Sequence, residues 1–229
     1  MPGPVIVFDL DGTLVDTAPD LIATLNVVLA REGHGAVAYD DARTMIGGGA
    51  RHMLERGLAR QGIAAAPAEL DRLFADFIAY YAAHVADHSR PFPGLEQSLD
   101  RLAASGARLA VCTNKLERLS VLLLEQLGLA ERFAAICGQD TFGIAKPDPE
   151  LLRRTIERAG GSLSAAVMIG DSAADVAVAR AAGVPVIAVD FGYSDVPVAS
   201  LRADRLIAHF DDLPQAIAAV LARPAASGK

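Results

Sequence analysis

Short apolar runs, each closed by a polar or glycine-rich turn, occur near the start of the chain and repeatedly after residue 108. Uninterrupted runs of this length are typical of strands that are buried on both faces of a sheet. The pattern predicts five such strands and a weaker sixth, at residues 5–9, 109–113, 134–137, 166–170, 184–189 and 205–208.

Segments with the period of an α-helix separate the later strands, and a glycine follows the last periodic residue of each segment. Glycine in that place is the usual signal for the end of a helix. The predicted helices cover residues 95–105, 116–127, 149–159 and 173–182. Strands that alternate with helices favour an α/β fold, a doubly wound, Rossmann-like parallel sheet with helices on both faces. Ligands of such folds bind beyond the carboxyl ends of the strands.

One long segment, residues 17–90, departs from this alternation, because it has several helical patterns and no convincing strand. Its position directly after the first strand places it above the carboxyl end of that strand, where it can act as a lid. We therefore predict a catalytic core domain of residues 1–16 and 91–229 and a helical cap domain of residues 17–90. The Pro-, Ala- and Ser-rich tail at residues 224–229 is expected to be frayed.

Composition and charge narrow the function classes. The 229 residues are 52% hydrophobic and carry a formal net charge of −7, a poor match for nucleic acid or an anionic membrane. No apolar run approaches the roughly 18 residues that span a bilayer, and the first residues lack the basic segment of a signal peptide. With Cys112 and Cys137 interpreted as reduced thiols within strands, these features predict a cytoplasmic protein.

Four groups of polar residues end predicted strands or open a helix that follows one. They are Asp9 with Asp11, Thr113-Asn114-Lys115, Lys146 before Pro147, and Asp171-Ser172 with Asp175. Each group has an ordinary explanation by itself, since Asp-Gly forms turns, serine caps helices and a loop lysine is often solvated. Together, at matching ends of parallel strands, the groups predict one polar site at one edge of the sheet.

The choice of lysine sharpens this prediction. The chain has only three lysines against 18 arginines, yet Lys115 and Lys146 both belong to these groups. A lysine ammonium is a compact point charge that suits a phosphate oxygen, whereas an arginine is a planar fork. The pattern therefore favours an anionic, phosphate-bearing ligand.

The motifs, taken in order, resemble the full set of the haloacid dehalogenase-like hydrolase superfamily, and the resemblance covers essentially the whole chain. The matching stretches are Asp9-Leu10-Asp11-Gly12-Thr13-Leu14-Val15-Asp16, Thr113-Asn114, Lys146-Pro147 and Gly170-Asp171-Ser172-Ala173-Ala174-Asp175. The resemblance implies that Asp9 is a nucleophile that forms an aspartyl-phosphate and that Asp11 is the general acid and base.

The same resemblance implies a cofactor, Mg²⁺, and a phosphate site. The Asp9 carboxylate, the Asp11 backbone carbonyl and the Asp171 carboxylate would ligate the metal. Thr113, Asn114 and Lys146 would bind the phosphoryl oxygens, and Asp175 would support the metal site or Lys146 from the outside.

Further stretches resemble the phosphoglycolate phosphatases of that superfamily, at residues 16–21, 46–51, 138–141 and 190–193. The amides of Gly47, Gly48 and Gly49, at the start of a helix, can bind an anion, and Arg51 can pair with a carboxylate. A flexible hinge and a solvated arginine explain the same residues equally well. We expect a small anionic phosphomonoester, 2-phosphoglycolate, as the substrate of a monomer or a homodimer.

Other functions are open on sequence alone. The nearest alternative is a phosphatase of the same superfamily that acts on a sugar phosphate or a nucleotide. A sugar phosphomutase is less favoured, because residues 17–21 contain no histidine and the predicted cap contains no lysine. A dehalogenase is disfavoured by Asp11, and a binding protein without activity is disfavoured because every motif residue is present.

Overall fold

The computed structural model describes residues 3–222, so the tail predicted to be frayed lies outside the described residues. The strands are β1 (Val5–Phe8), β2 (Val15–Asp16), β3 (Arg90–Pro91), β4 (Arg108–Cys112), β5 (Ala135–Cys137), β6 (Ala166–Gly170), β7 (Val186–Val189) and β8 (Arg205–Ile207). Six of them form a parallel sheet in the order β5-β4-β1-β6-β7-β8. The predicted α/β fold with six strands is confirmed.

Five of the six strands of the sheet differ from their predicted bounds by one or two residues, and β7 shows why. The run predicted at residues 184–189 forms a strand only from Val186 onward. The Val184 N–H donates instead to the carbonyl oxygen of Ala179 at the end of the preceding helix, and Pro185 has no N–H to donate. An apolar pattern alone does not reveal this competition.

Nine helices are present among the described residues. They are α1 (Ala18–Arg31), α2 (Tyr39–Arg43), α3 (Ala50–Ala59), α4 (Pro67–Ala83), α5 (Leu95–Ala104), α6 (Glu117–Gln126), α7 (Pro149–Arg158), α8 (Ala173–Ala182) and α9 (Leu213–Leu221). None of these helices is both long and apolar enough to cross a bilayer. The sequence analysis did not predict α2 and α9.

The sheet has a hydrophobic core on each face. Ile6 and Phe8 of β1 face one core, which receives apolar side chains of α5, α6 and α9. Val5 and Val7 face the other core, against α7 and α8. Since β1 is buried on both sides, its apolar run is uninterrupted, as expected for a central parallel strand.

The register places the chemistry at one edge. Phe8, the last residue of β1, is level with Val111 of β4 and Ile169 of β6. The chain therefore leaves three neighbouring strands at the same height, and Asp9, Thr113 and Asp171 follow within a few residues of that line.

A short two-stranded ribbon connects the sheet to the helices α1–α4. Val15 pairs with Pro91 and Asp16 with Arg90, in antiparallel register. The sequence analysis predicted neither β2 nor β3. Two-residue strands are too short to produce a detectable alternation of apolar and polar residues.

Candidate active site

Asp9 stands at the carboxyl end of β1, in the middle of the sheet. Its backbone N–H donates to the carbonyl oxygen of Ile169 at 2.9 Å, so the β ladder itself fixes its position. The residue is only 4% exposed. Asp9 Oδ1 lies 2.8 Å from the Lys146 ammonium but has no hydrogen-bond partner of good geometry among the described residues. Burial raises the pKa of Asp9 to about 6, although the neighbouring Lys146 opposes this shift.

Asp11 lies two residues further along, on the side of the helices α1–α4. The turn between the two aspartates continues through Gly12, whose φ of 85° is accessible to glycine at little cost. Asp11 Oδ1 accepts hydrogen bonds from Lys115 Nζ at 2.8 Å and from the Thr17 hydroxyl at 2.8 Å. Its Oδ2 accepts from the same lysine at 3.0 Å. The carboxylate is therefore held by three contacts.

Asp171 follows β6 and is almost fully buried. Its Oδ1 accepts from the Thr13 hydroxyl at 3.1 Å, and its Oδ2 accepts from the Tyr193 N–H at 2.6 Å. Burial, together with repulsion from Asp175 and Asp9, raises the pKa of Asp171 to about 8. The Tyr193 N–H can come this close because the preceding residue is Gly192, where a Cβ atom would lie 2.3 Å from that of Asp171.

Asp175 and Ser172 form the capping box at the start of α8. Asp175 Oδ2 accepts from the Ser172 N–H at 3.0 Å and from its hydroxyl at 2.6 Å. Asp175 Oδ1 accepts from Lys146 Nζ at 2.6 Å. Ser172 is therefore a helix cap, as its ordinary interpretation predicts. Both oxygens of Asp175 accept hydrogen bonds within the protein.

Lys146 lies between two carboxylates and is 6% exposed. Its ammonium is 2.8 Å from Asp9 and 2.6 Å from Asp175. Burial alone lowers the pKa of Lys146, but the two carboxylates outweigh burial and raise it above the ordinary value. The side chain is therefore a fixed positive charge beside Asp9.

The residues present fit a divalent cation. One oxygen of each of Asp9, Asp171 and Asp175 lies within 4.8 Å of the others, and all three residues are buried. Three carboxylates against the single ammonium of Lys146 leave an excess of buried negative charge, which is costly without a cation. Asp9 Oδ1 has no hydrogen bond, and each oxygen of Asp171 accepts a single hydrogen bond from an uncharged donor. Asp175 instead accepts from the Lys146 ammonium at Oδ1 and from two donors of Ser172 at Oδ2, so Asp9 and Asp171 are the better ligands.

Thr113 and Asn114 continue the chain after β4. The Thr113 N–H donates to the carbonyl oxygen of Cys137 at 3.0 Å, and its hydroxyl lines the same pocket as Asp9 and Asp11. The Asn114 amide is used within the protein, because it accepts from the Lys146 N–H at 2.8 Å and donates to the Gly47 carbonyl at 3.2 Å. Asn114 thus connects two active-site loops to the cap side.

Two cavities are lined in part by residues of this site. The cap pocket, of about 40 Å³, has Asp9, Asp11, Thr113 and Lys115 at its base and mainly apolar walls, formed in part by Met53, Phe74, Phe77, Ile78 and Tyr81. The polar cleft, of about 210 Å³, is open to solvent, and its lining includes Gly48, His52, Arg56, Lys146, Ser172 and Ser194.

The glycines and Arg51 of the predicted cap separate in the structure. Gly49 lines the cap pocket, Gly48 lies on the polar cleft, and Gly47 lines both. Gly49, with φ of 85°, immediately precedes α3, and a Cβ there would lie 3.1 Å from the Asn114 carbonyl oxygen. Arg51 lines neither cavity, because its guanidinium pairs with Asp71 and lies 5.2 Å from the Phe74 ring centroid.

Sequence analysis missed several residues of this site. Thr17, Thr13 and Tyr193 were not assigned a role, and Lys115 was expected to face a phosphate and not Asp11, although each contacts a carboxylate of the site directly. The rarity of lysine was the one available signal for Lys115. Tyr193 acts through its backbone N–H, for which a sequence carries no signal.

Comparisons with known proteins agree with this arrangement. A family model described as haloacid dehalogenase-like hydrolase matches residues 6–189. A phosphoglycolate phosphatase of Mesorhizobium japonicum is 48% identical over 98% of this chain and 99% of its own length. The crystal structure of a predicted phosphoglycolate phosphatase from Haemophilus somnus superposes with a TM-score of 0.87, at 27% identity, over 94% of this chain and 98% of that one. A mutant of CbbY from Rhodobacter sphaeroides in complex with xylulose-(1,5)bisphosphate has a TM-score of 0.76, at 26% identity, over 92% and 96% of the two chains.

Proposed function

This chain belongs to the haloacid dehalogenase-like hydrolases, and on that premise we propose that it hydrolyses small phosphomonoesters, with 2-phosphoglycolate as the preferred substrate. The products are glycolate and inorganic phosphate. Residues 1–16 and 91–229 form the catalytic core in this proposal, and residues 17–90 form the cap that closes over the substrate.

One observation supports the proposal above all, the setting of Asp9. The Asp9 carboxylate stands at the centre of the sheet edge, and no hydrogen bond of good geometry restrains its Oδ1, whose ion-pair partner is the Lys146 ammonium. A carboxylate in this place can attack an incoming phosphorus atom. The Asp9 oxygen forms a bond to phosphorus as the bond from phosphorus to the ester oxygen breaks. Although burial raises its pKa to about 6, that value is still below 7, so Asp9 is largely ionised at neutral pH and ready to act as the nucleophile.

Asp11 completes the reaction in two steps. Its carboxyl proton goes to the departing alkoxide, which leaves as an alcohol, and Asp9 is left as an aspartyl-phosphate. Asp11 then takes a proton from a water molecule that attacks the phosphorus. The bond between Asp9 and phosphorus breaks, phosphate leaves, and both aspartates return to their starting states. Asp11 lines the cap pocket together with Asp9, so it stands beside the ester oxygen of a phosphate bound at Asp9.

Lys146 and Thr113 bind the phosphoryl oxygens in this proposal. The Lys146 ammonium already lies 2.8 Å from Asp9, so a phosphate that approaches Asp9 also approaches a positive charge. Mg²⁺ held by Asp9, the Asp11 carbonyl and Asp171 would, when bound, neutralise the negative charge shared by the phosphate and the nucleophile. Asp175 keeps Lys146 in place through Oδ1 and accepts from two donors of Ser172 at Oδ2, so it supports the site from outside the metal.

Support for 2-phosphoglycolate comes from the relatives. The Mesorhizobium japonicum protein bears the name phosphoglycolate phosphatase and is similar over nearly the full length of both chains. A sugar phosphate is the second candidate, because the CbbY structure of similar fold holds a sugar bisphosphate. Both substrates are small anions, and the open polar cleft, which is lined in part by Arg56 and His52, would suit either of them.

A panel of phosphomonoesters tests this proposal. We expect kcat/KM for 2-phosphoglycolate to exceed that for sugar phosphates and nucleotides by at least about 10-fold, the scale of one added charge-assisted contact. Chelation of divalent cations with EDTA should abolish turnover, and added Mg²⁺ should restore it. A preference for a sugar phosphate would overturn the substrate, and full activity in EDTA would overturn the metal.

A further inference from the structure

Lys115 is the least expected charged residue of the site. It follows β4, its side chain is only 5% exposed, and it is one of three lysines in a chain with 18 arginines. A buried ammonium is costly unless it is paired. Burial alone lowers the pKa of Lys115, but the Asp11 carboxylate outweighs it and raises the pKa, so the group stays charged. The role of Lys115 therefore depends on its positive charge, which pairs with the Asp11 carboxylate.

The contacts to Asp11 leave one oxygen available. Asp11 Oδ1 accepts from both Lys115 and Thr17, whereas Oδ2 accepts only from Lys115, at 3.0 Å, among the described residues. Both Asp11 and Lys115 line the base of the cap pocket. A carboxyl that exchanges a proton needs a fixed orientation and an oxygen with a remaining lone pair. The two contacts at Oδ1 fix the orientation, and Oδ2, with its single contact, keeps a lone pair.

The other side of the ammonium faces the cap. Lys115 Nζ lies 4.6 Å from the centroid of the Tyr81 ring, which belongs to α4 and is almost fully buried. An ammonium over the face of an aromatic ring is attracted by the negative charge of that face. Phe77, one turn earlier on α4, packs against the same ring at 6.2 Å between centroids. Helix α4 therefore contacts Asp11 indirectly, through Lys115.

We propose that Lys115 is the positioning residue of Asp11, and that the Tyr81 ring makes this positioning depend on the seating of the cap. This inference depends on the proposed role of Asp11 as general acid and base. Lys146 has the complementary task, because it lies on Asp9 and Asp175 and contacts the nucleophile instead of the proton donor. One lysine thus contacts the nucleophile, and the other contacts the proton donor.

The experiment compares leaving groups that differ only in their need for a proton. Phenyl phosphate and p-nitrophenyl phosphate have nearly the same shape, and both lack a carboxylate, but phenolate is the more basic leaving group and gains more from protonation. The readout is kcat/KM, which includes all steps up to the aspartyl-phosphate. Lys115→Met removes the charge and keeps most of the volume of the side chain.

Lys115→Met should lower kcat/KM for phenyl phosphate by about 10- to 100-fold, part of the 10²–10⁴-fold that a general acid contributes, and for p-nitrophenyl phosphate by no more than about 3-fold. Asp11→Asn should show the same selective loss, and the double variant should be no more selective than Asp11→Asn alone. Tyr81→Leu, which keeps the ion pair but removes the ring, should give a smaller loss in the same direction, whereas Tyr81→Phe, which retains the ring and loses only the hydroxyl, should stay closer to the wild-type ratio than Tyr81→Leu.

The outcomes separate the inference from the proposed function. If Lys115→Met lowers both rates equally, Lys115 has a structural role only and the inference fails. If Asp11→Asn itself shows no selective loss, the proposed acid and base fails, and the inference fails with it. Thermal unfolding establishes that each variant folds, and should Lys115→Met not fold, the comparison of Tyr81→Leu with Tyr81→Phe decides, since equal ratios in those two variants overturn the proposal.

Discussion

The core side and the cap side of the site are built differently. On the core side, Asp9, Lys146 and Asp171 are at most 6% exposed and lie in a buried network that is anchored to strand ends. On the cap side, Arg51 and His52 have side chains that are 44% and 50% exposed. Groups fixed in a dry environment are suited to stabilise a transition state, because they need no rearrangement during the reaction. Groups that remain in solvent can change partners, which suits the selection of substrates.

The cap side itself offers two different environments for a leaving group. The cap pocket is walled by Phe74, Phe77 and other apolar side chains, which would strip a carboxylate of water without replacing its hydrogen bonds. The polar cleft has Arg56 on its wall and Lys146 at its inner end. Arg56 donates to the Thr44 carbonyl at 2.7 Å and has no carboxylate partner within residues 3–222. A substrate carboxylate is therefore better placed in the polar cleft.

The largest effect is expected on the core side, at the nucleophile. Asp9→Asn keeps the shape of the side chain but removes the attacking anion, so kcat should fall by at least about 10³-fold. The variant should remain folded with an unchanged or higher Tm. Burial disfavours the charged carboxylate of Asp9, as its raised pKa shows, and the substitution puts an uncharged amide in its place. Steady-state rates and thermal unfolding measure the two effects, and a variant that keeps a tenth of the activity would rule out Asp9 as the nucleophile.

The next effect concerns the metal and its dependence on pH. An unfolded aspartate releases its proton near pH 4, at a pKa of about 3.9, whereas in the fold the pKa of Asp9 is raised to about 6 and that of Asp171 to about 8. Between these values the folded protein holds protons that the unfolded chain has lost. The metal-free protein should therefore lose stability through these two groups as pH rises from about 4 to about 8.

Added Mg²⁺ should offset that loss, because it favours the ionised carboxylates. We expect Mg²⁺ at about 100 times its Kd to raise Tm by about 5 °C at pH 8, and by clearly less at pH 5.5. Asp171→Asn is the matched control, in which the Tm gain and its pH dependence should largely disappear and kcat should fall by about 10²-fold. An equal Tm gain at both pH values would contradict the assignment of these carboxylates to the metal.

A smaller effect is expected on the cap side, at Arg56. Arg56→Ala should lower kcat/KM for 2-phosphoglycolate by about 10- to 100-fold, the scale of one charge-assisted contact, and should affect p-nitrophenyl phosphate much less. The ratio of the two kcat/KM values is the measurement. A proportional loss on both substrates would show that Arg56 has a structural role, through its hydrogen bond to Thr44. The substrate carboxylate would then not bind to Arg56.

The smallest effect is expected at Arg51, which the sequence predicts as the carboxylate-binding residue. Since its guanidinium is already paired with Asp71 on an exposed surface, Arg51→Ala should change kcat/KM for 2-phosphoglycolate by no more than about 3-fold. Assayed beside Arg56→Ala on the same substrates, it decides between the two arginines. A loss of 10-fold or more, confined to 2-phosphoglycolate, would restore the role predicted from the sequence.

The sequence predicted the fold and the site to different depths. The six strands and the common edge of their polar residues were predictable, because buried parallel strands leave uninterrupted apolar runs and their ends align. The contact between Lys115 and Asp11 was not, because it joins residues 104 positions apart whose side chains meet only after the sheet forms. The pairing of Arg51 with Asp71, and the direction of Arg56 into the cleft, likewise depend on how α3 is rotated against α4. The pattern of apolar residues along the strands does not predict that rotation.

The ribbon of β2 and β3 has a consequence for how this protein could change over time. Asp16 and Arg90 pair across antiparallel strands, so the chain departs for the helices α1–α4 and returns from them at points only about 5 Å apart. An excursion that begins and ends at one place can be lengthened, shortened or exchanged for another without shifting any strand of the main sheet. Grafting a different set of helices between these two residues would then alter what reaches Asp9 while Asp9, Asp11 and Asp171 keep their spacing.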